Sequence, residues 1–309
     1  MLVCATFLFK KLLTVQLIRN GDLTIGALMA FYAYLALLYQ PFIDMAMTLN
    51  DMNGSLVGME RYTEYDNEIN QENHQDGLEY TAIQKSIEFK NVNFAYNNNL
   101  ILNNINLQIG SKDKILIEGK SGIGKSTIAS ILNRFHDDYG GLICFDDVDI
   151  KEINIKSLRK NIFYLLQGNS FYVTTIRENF KRVRDNITDE HIWQALEKAQ
   201  IADTIRGTDC NGLDTLLVKN AVNFSGGQRR RLSLALLFAT ESDFVILDEP
   251  FTGLDNDTRQ KIWLELKNFC LDKTMIMIDH NFIEKDFFSC VANFNNTGNL
   301  TVSKQIKSF

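Results

Sequence analysis

The chain has 309 residues, 45% of them hydrophobic, which is enough apolar material for the core of a domain of about 220 residues. A formal net charge of −6 argues against a general nucleic-acid-binding surface. Its five cysteines are scattered, without a Cys-x-x-C pair or a His cluster, which favours a reducing cytosol and argues against a structural zinc site.

The N-terminal region is apolar enough to suggest contact with a membrane. Residues 23–49 are long enough for one membrane span, with Pro41 tolerated as a kink. The pair Lys10-Lys11 interrupts the apolar residues 1–18, so that stretch is too short to cross a bilayer alone. A signal peptide is disfavoured, because its positive charges should precede the apolar stretch. The alternative is a buried helical hairpin of a soluble protein.

The remainder of the chain predicts an α/β fold. Apolar runs at about 87–93 and 102–109 predict a small antiparallel part. Later runs predict a parallel core with helices on both of its faces, and its strands are expected near 114–118, 161–165, 244–248 and 274–278. The apolar pattern of residues 294–309 is too weak to assign this segment to the fold.

A glycine-rich loop follows the strand expected near 114–118 and precedes a helical pattern. The residues fit Gly, four residues, Gly, Lys and Ser, a pattern typical of phosphate-binding loops. Backbone N–H groups and the helix N-terminus would bind a polyphosphate, and a chance match is disfavoured by the strand–loop–helix order. We expect Lys125 to reach the β- and γ-phosphates, Ser126 to ligate Mg²⁺ and Thr127 to lie near the α-phosphate. The predicted binding residues of the loop are Gly119, Ser121, Gly122, Gly124, Lys125, Ser126 and Thr127.

A second anion-binding helix end is predicted farther along the chain. It is formed by Ser225, Gly226, Gly227 and Gln228, which open an apolar helix pattern. One globule cannot easily bring this end and the glycine loop to the same ATP, but a second copy facing it could supply the end in trans. The following Arg229–Arg231 are expected to make structural ion pairs.

Two adjacent acids end the apolar strand expected near 244–248. Neighbouring residues of a strand end point to different faces, so the two carboxylates can have different roles. Asp248 would support Mg²⁺, while Glu249 would polarise an attacking water. The alternatives are a solvated strand end or a helix N-cap.

These motifs, in this order, resemble the nucleotide-binding domain of an ABC transporter of the exporter type over about residues 86–290. The resemblance implies a P-loop NTPase fold with a helical subdomain inserted at about residues 169–228. It implies that Tyr96 stacks on adenine, that Gln167 senses Mg²⁺ and the attacking water, that Asp255 contacts the opposite subunit and that His280 contacts the γ-phosphate. The catalytic group would then be Lys125, Gln167, Glu249 and His280, and the metal group Ser126, Gln167 and Asp248.

Several residues depart from the family pattern. Phe251 stands where a small or hydroxylated residue is usual, Asp279 where a hydroxyl precedes the histidine, and Phe224 where leucine is usual. Residues 218–221 replace an acidic stretch that communicates with the transmembrane part. None of these changes removes a catalytic group, but at residues 218–221 the acidic contact with the transmembrane part is missing.

The resemblance also predicts the domain organisation. Residues 1–62 would be a partial transmembrane domain, 63–85 a linker and 86–309 the ABC nucleotide-binding domain. Residues 20–28 resemble the turn before a final transmembrane helix, and residues 59–61 resemble the segment that leaves it.

The expected function is to bind and hydrolyse ATP, with Mg²⁺, in a membrane exporter. The expected partners are a second ABC ATPase domain, in a homodimer or a heterodimer, a multi-span transmembrane protein and membrane lipid, but no nucleic acid. The chain would be integral to the cell membrane, with its ATPase domain in the cytoplasm.

Two hypotheses explain the small number of predicted spans. The chain would work beside a partner that supplies helices, or it would be the C-terminal piece of a longer or broken exporter. A non-transporting ATP-dependent switch and an inactive remnant are the other hypotheses. The apolar N-terminus argues against a soluble switch, and the intact catalytic groups give no sign of a decayed ATPase.

Overall fold

A computed structural model of the chain describes residues 19, 24–34, 37–38, 40–48, 77–97, 99–168, 171–207, 211–280, 282–295 and 297–304. The chain divides into two compact units, Met1–Asn73 and His74–Phe309. The domain boundaries expected at residues 62 and 85 stay predictions.

In the first unit, residues 25–34 and 40–48 are helical. Large apolar side chains of these segments are exposed, among them Phe31 at 59% and Phe42 at 72%. Within the described ranges, none of the helices combines the length and apolar character that a membrane crossing requires. The span predicted near residues 23–49 includes positions outside those ranges, so it stays a prediction.

The second unit contains a four-stranded antiparallel sheet in the order β2-β1-β4-β5. The predicted antiparallel pair is confirmed, because β1 (Ser86–Tyr96) pairs with β2 (Asn99–Gly110). The strands β4 (Gly140–Phe145) and β5 (Val148–Asp149) extend the sheet. They were not predicted, since two glycines open β4 and weaken its strand pattern.

A six-stranded sheet has the order β10-β9-β3-β8-β7-β6. The four predicted core strands are confirmed as parallel neighbours: β3 (Lys114–Glu118), β6 (Ile162–Leu165), β7 (Phe244–Asp248) and β8 (Thr274–Asp279). At one edge, β9 (Cys290–Phe294) runs parallel to β3, and β10 (Leu300–Lys304) pairs antiparallel with β9. The weakly patterned end of the chain therefore supplies an edge strand.

Helices cover both faces of this sheet. In chain order within the second unit they are α1 (Lys125–Leu132), α2 (Ile155–Asn161), α3 (Ile176–Val183), α4 (Asp189–Lys198), α5 (Ala202–Arg206), α6 (Gly226–Ala239) and α7 (Asn256–Phe269). Short 3-10 turns lie at Ile150–Glu152, Gly212–Asp214, Lys219–Ala221 and Lys285–Phe287. Helices α3 to α5 fall inside the predicted subdomain at about 169–228, whose limits stay a prediction.

The strand side chains alternate between two apolar clusters. Ile115 and Ile117 of β3 lie in the cluster that also contains the apolar side of α1 and the antiparallel sheet. Leu116 points to the opposite cluster, which contains the apolar residues of α3, α4, α6 and α7. Both faces of the sheet are buried, as is usual for parallel strands.

The register of the parallel strands determines where the functional side chains lie. Glu118, the last residue of β3, is opposite Asp279 of β8, and Asp248 of β7 is opposite Ile278. Because parallel strands end at the same edge, the glycine loop, the two acids and the histidine after β8 meet there.

Candidate functional site

The loop between β3 and α1 depends on glycine. Gly122 and Gly124 have φ angles of +76° and +112°, a region that favours glycine. A Cβ atom on Gly124 would lie 2.6 Å from Cγ2 of Ile101. The loop thus combines a left-handed backbone with close packing against β2.

Lys125 is the first residue of α1 and is only 5% exposed. Its Nζ donates hydrogen bonds of 2.8 Å to the carbonyl oxygens of Gly119 and Lys120. Burial lowers the pKa of Lys125, and the carboxylates of Glu249 and Asp248 act in the opposite direction. The cation is therefore held inside the loop and faces the acidic end of β7.

Ser126 and Asp248 form an oxygen pair beside this lysine. Asp248 is 2% exposed, and its carboxylate forms a hydrogen bond with the Ser126 side chain. Burial raises the pKa of Asp248, while the bond to Ser126 opposes that shift. A hydroxyl and a carboxylate are both suited to Mg²⁺, which prefers oxygen ligands.

Glu249 is held by side chains from three segments. Its Oε1 lies 2.6 Å from Nε2 of His280. Its Oε2 accepts hydrogen bonds from Nε2 of Gln167 at 3.0 Å and from the Thr252 hydroxyl at 3.3 Å. The side chain keeps 13% exposure, so the carboxylate is fixed in position yet remains accessible to a small molecule.

His280 connects this carboxylate to the glycine loop. Its Nδ1 lies 3.0 Å from the carbonyl oxygen of Gly119, on the opposite side of the ring from Glu249. Its backbone N–H donates a 2.6 Å hydrogen bond to Oδ1 of Asp279. Asp279 thus provides an oxygen acceptor where the family usually has a hydroxyl.

The second anion-binding helix end lies at the start of α6. Ser225 and Gln228 form a capping box, in which the serine side chain accepts from the Gln228 N–H and the glutamine side chain accepts from the Ser225 N–H. Ser225 and Gly226 are exposed, and Gly227 packs near the carbonyl oxygen of Gly253. Within the described part of the chain, no hydrogen bond joins this helix end to the glycine loop.

Two predicted residues lie away from the cluster around Glu249. Asp255 is exposed and caps α7 by accepting the Thr258 N–H at 2.9 Å, which lowers the pKa of Asp255. Tyr96 is 42% exposed at the end of β1, and its hydroxyl lies 2.9 Å from Nε2 of His136. The structure therefore unites Lys125, Ser126, Gln167, Asp248, Glu249 and His280, and leaves Tyr96, Ser225–Gln228 and Asp255 outside their hydrogen-bond network.

The arginines after Gln228 do not make the predicted ion pairs with any described residue. Arg229 donates to the carbonyl of Phe224 and Arg231 to that of Gln200. Arg230 reaches the backbone around Glu249. The expected ion pairs therefore stay a prediction, and the described hydrogen-bond partners of these arginines are main-chain carbonyls.

Thr252 and Phe251 are site neighbours whose roles the sequence did not predict. The Thr252 hydroxyl bonds Glu249 because a turn brings Thr252 N within 3.2 Å of the Glu249 carbonyl. Phe251 is buried against the rings of Trp263 and Phe282, so its bulk fills an aromatic cluster. No spacing signal marked either contact.

Comparisons with known proteins match part of this chain to a family. The ABC transporter family matches residues 102–252. The chain is 30% identical over 275 residues to the uncharacterized ABC transporter ATP-binding protein YwjA of Bacillus subtilis (strain 168), covering 88% of this chain and 48% of that protein. It is 30% identical over 262 residues to the ATP-dependent lipid A-core flippase of Desulfotalea psychrophila, covering 84% and 46%.

A solved structure is also similar. A bacterial Atm1-family ABC exporter with ATP bound aligns with a TM-score of 0.70 and 26% identity, covering 91% of this chain and 50% of that chain. The chain thus spans about half the length of the proteins that it matches.

Proposed function

We propose that the chain binds and hydrolyses ATP as part of a membrane exporter, on the basis of the match of residues 102–252 to the ABC transporter family. ABC transporter ATP-binding domains are ATPases, and the relatives of this one include ABC exporters. The observation that carries the proposal is the Glu249 carboxylate, held by His280 and Gln167 at the edge that also bears Lys125.

The residues present fit MgATP. The glycine loop offers backbone N–H groups at the N-terminus of α1, and Lys125 adds a buried cation for the β- and γ-phosphate oxygens. The Ser126 hydroxyl and the Asp248 carboxylate would supply oxygen ligands, directly or through water. When bound, Mg²⁺ would neutralise charge on the β- and γ-phosphoryl oxygens.

The reaction is the transfer of the γ-phosphoryl group to water. Glu249 orients a water and accepts a hydrogen bond from it, so that the water oxygen bonds the γ-phosphorus while the bond to the β–γ bridging oxygen breaks. ADP and phosphate leave, and the water proton passes through the carboxylate to the products. His280 keeps Glu249 in place and contacts the γ-phosphate, while Gln167 fixes the second carboxylate oxygen.

A second ABC ATPase domain completes each site in this proposal. Ser225 and Gly226 are exposed at the start of α6, and no described hydrogen bond links them to Lys125 of the same chain. Two ATP molecules would therefore lie between two domains arranged head to tail, with Ser225 of one facing Lys125 of the other. Asp255 would contact the opposite domain. The second domain is another copy of this chain or a different ABC ATPase chain.

The membrane part of the proposal rests on the first unit and on the relatives. Exposed apolar side chains such as Met29 (70% exposed) and Leu37 (70%) belong to its helices. They would contact lipid or a multi-span transmembrane partner. The chain would then be integral to the cell membrane with its ATPase domain in the cytoplasm, and closure of the two domains would move the attached helices.

Glu249→Gln in the full-length chain tests this function. We expect MgATP turnover to fall by about 100-fold or more, because the proton acceptor is lost while the shape is kept. ATP binding should persist, and the variant should accumulate as a closed dimer that sizing detects. The exposed Glu190→Gln should behave as wild type. Unchanged turnover in Glu249→Gln would remove Glu249 from the proposed role.

A further inference from the structure

We propose that Arg230 is a positioning residue of the ATPase site, which holds the backbone carrying Glu249 and links it to α6 and to the segment before Gln167. The inference rests on the proposed function, because it assigns Arg230 to the same site. Arg230 would act through Glu249 and not by contact with the nucleotide.

The Arg230 guanidinium joins two segments of backbone to α6. Its Nε donates to the carbonyl of Pro250 at 2.9 Å, and its Nη2 donates to the carbonyls of Asp248 at 2.5 Å and Glu249 at 2.6 Å. Its Nη1 donates to the carbonyl of Leu166 at 2.7 Å. Arginine suits this arrangement because its donors lie in a fixed, planar fork.

The burial of Arg230 indicates that these bonds have a specific role. The side chain is 2% exposed. Burial lowers its pKa to about 10, and the nearby carboxylates of Asp248 and Glu249 act in the opposite direction. The guanidinium therefore stays charged at neutral pH in an unfavourable environment. A buried charge of this kind requires compensation, which the carbonyl groups provide.

The backbone that Arg230 holds is strained at the catalytic position. Glu249 has a φ angle of +47°, in the left-handed region that non-glycine residues rarely adopt. The carbonyls of Asp248, Glu249 and Pro250 all converge on one guanidinium. Arg230 thereby stabilises the turn that aims the Glu249 side chain at His280 and Gln167.

The same contacts connect the start of α6, at Ser225, to the carboxylate of Glu249. Arg230 lies on the helix that Ser225 caps, and Leu166 directly precedes Gln167. If a nucleotide bound at Ser225 displaced α6, the Arg230 side chain would transmit that displacement to Glu249. Arg230 therefore couples engagement of the second domain to alignment of the carboxylate.

The test uses Arg230→Lys and Arg230→Met in the full-length chain. Lysine keeps the charge but cannot span both segments, and methionine keeps the length without any donor. Arg231→Met is the matched control, because that arginine lies next on the same helix and bonds one described carbonyl, that of Gln200. For each variant we would measure thermal unfolding, ATP affinity, KM and kcat, alone and combined with Glu249→Gln.

We expect Arg230→Lys to fold and to keep ATP affinity and KM, while kcat falls by about 10- to 100-fold. In the Glu249→Gln background the same change should cause no further loss, because both act through one carboxylate. Arg231→Met should keep wild-type kcat. If Arg230→Met fails to fold, Arg230→Lys and its combination with Glu249→Gln still test the inference.

An unchanged kcat in Arg230→Lys would overturn the inference, as would losses that multiply in the double variant. Multiplied losses would mean that Arg230 supports folding without acting through Glu249. If the wild-type chain binds ATP but never hydrolyses it, the proposed function fails and this inference fails with it. Normal hydrolysis by both wild type and Arg230→Lys would overturn this inference alone.

Discussion

Two charged side chains of the site are buried at a cost to the fold. Lys125 and Asp248 are 5% and 2% exposed, and burial shifts the pKa of each against its charged form. Each charge is the one that MgATP would require, a cation for phosphate and a carboxylate for the metal. The two charged side chains therefore serve ligand binding and do not stabilise the nucleotide-free fold.

Asp248→Asn should therefore stabilise the nucleotide-free protein. Because burial raises the folded-state pKa of Asp248, its carboxylate destabilises the fold above that pKa. At neutral pH the variant should gain about 0.5–2 kcal/mol of unfolding free energy. The gain should shrink as pH falls through the raised pKa, and it should vanish below the unfolded pKa of about 3.9, where both proteins are neutral.

Urea unfolding at several pH values measures this effect. The exposed Asp203→Asn serves as the control and should show no such gain. Asp248→Asn should also lower the affinity for Mg²⁺ in the presence of ATP by about 10- to 100-fold. A variant that is less stable than wild type at neutral pH would contradict the account of Asp248.

Residues inside local motifs were predictable, and residues that act through the tertiary fold were not. Lys125 begins α1 directly after the glycine loop, and Asp248 and Glu249 lie at the end of β7, so their neighbours in sequence indicate their chemistry. Thr252 and Arg230 contact Glu249 only because of a turn and a packed helix. The backbone carbonyls that Arg229–Arg231 contact were not predicted, because a helix pattern does not indicate which carbonyls its side chains will meet.

At the scale of elements, strongly apolar strands were predicted and strands with weak or interrupted patterns were missed. The parallel core follows from continuous apolar runs that are buried on both faces. In contrast, β4 begins with Gly140-Gly141, β9 lies between β3 and β10, and β10 forms the edge of the sheet. The formation of β4 and β9 depends on pairing with β1 and β3, which are distant in the sequence, and the local pattern does not contain that information.

Gly141 makes such a long-range contact with β1, and its neighbour Gly140 provides a control. A Cβ atom on Gly141 would lie 2.4 Å from the Asn91 carbonyl oxygen of β1, and the φ angle is +87°. At Gly140 the nearest atom would be 4.0 Å away. Gly141→Ala should therefore lower the free energy of unfolding by about 2 kcal/mol or more.

Gly140→Ala is the matched control and should stay within about 1 kcal/mol of wild type. Urea midpoints of the two variants give the comparison directly. Equal midpoints would contradict the close approach of β4 to β1 at this residue.

For the whole molecule, the central feature is that one chain carries two phosphate-binding helix ends. Lys125 lies at the first end and Ser225 at the second, and each end is occupied by contacts within its own segment. The capping box leaves Ser225 exposed on the surface. In a head-to-tail pair of domains, each of the two ATP sites would combine the Lys125 end of one domain with the Ser225 end of the other. This arrangement explains why one sequence contains both ends.

Mixing two inactive variants tests this arrangement most directly. Lys125→Ala removes the phosphate cation, and Ser225→Arg blocks the second helix end, so each full-length variant alone should hydrolyse no ATP. In a co-assembled mixture, one composite site of each mixed dimer contains both intact ends. We expect turnover to recover to roughly a quarter of the wild-type value by random pairing. A mixture that stays inactive, while the wild-type chain alone hydrolyses ATP, would contradict it.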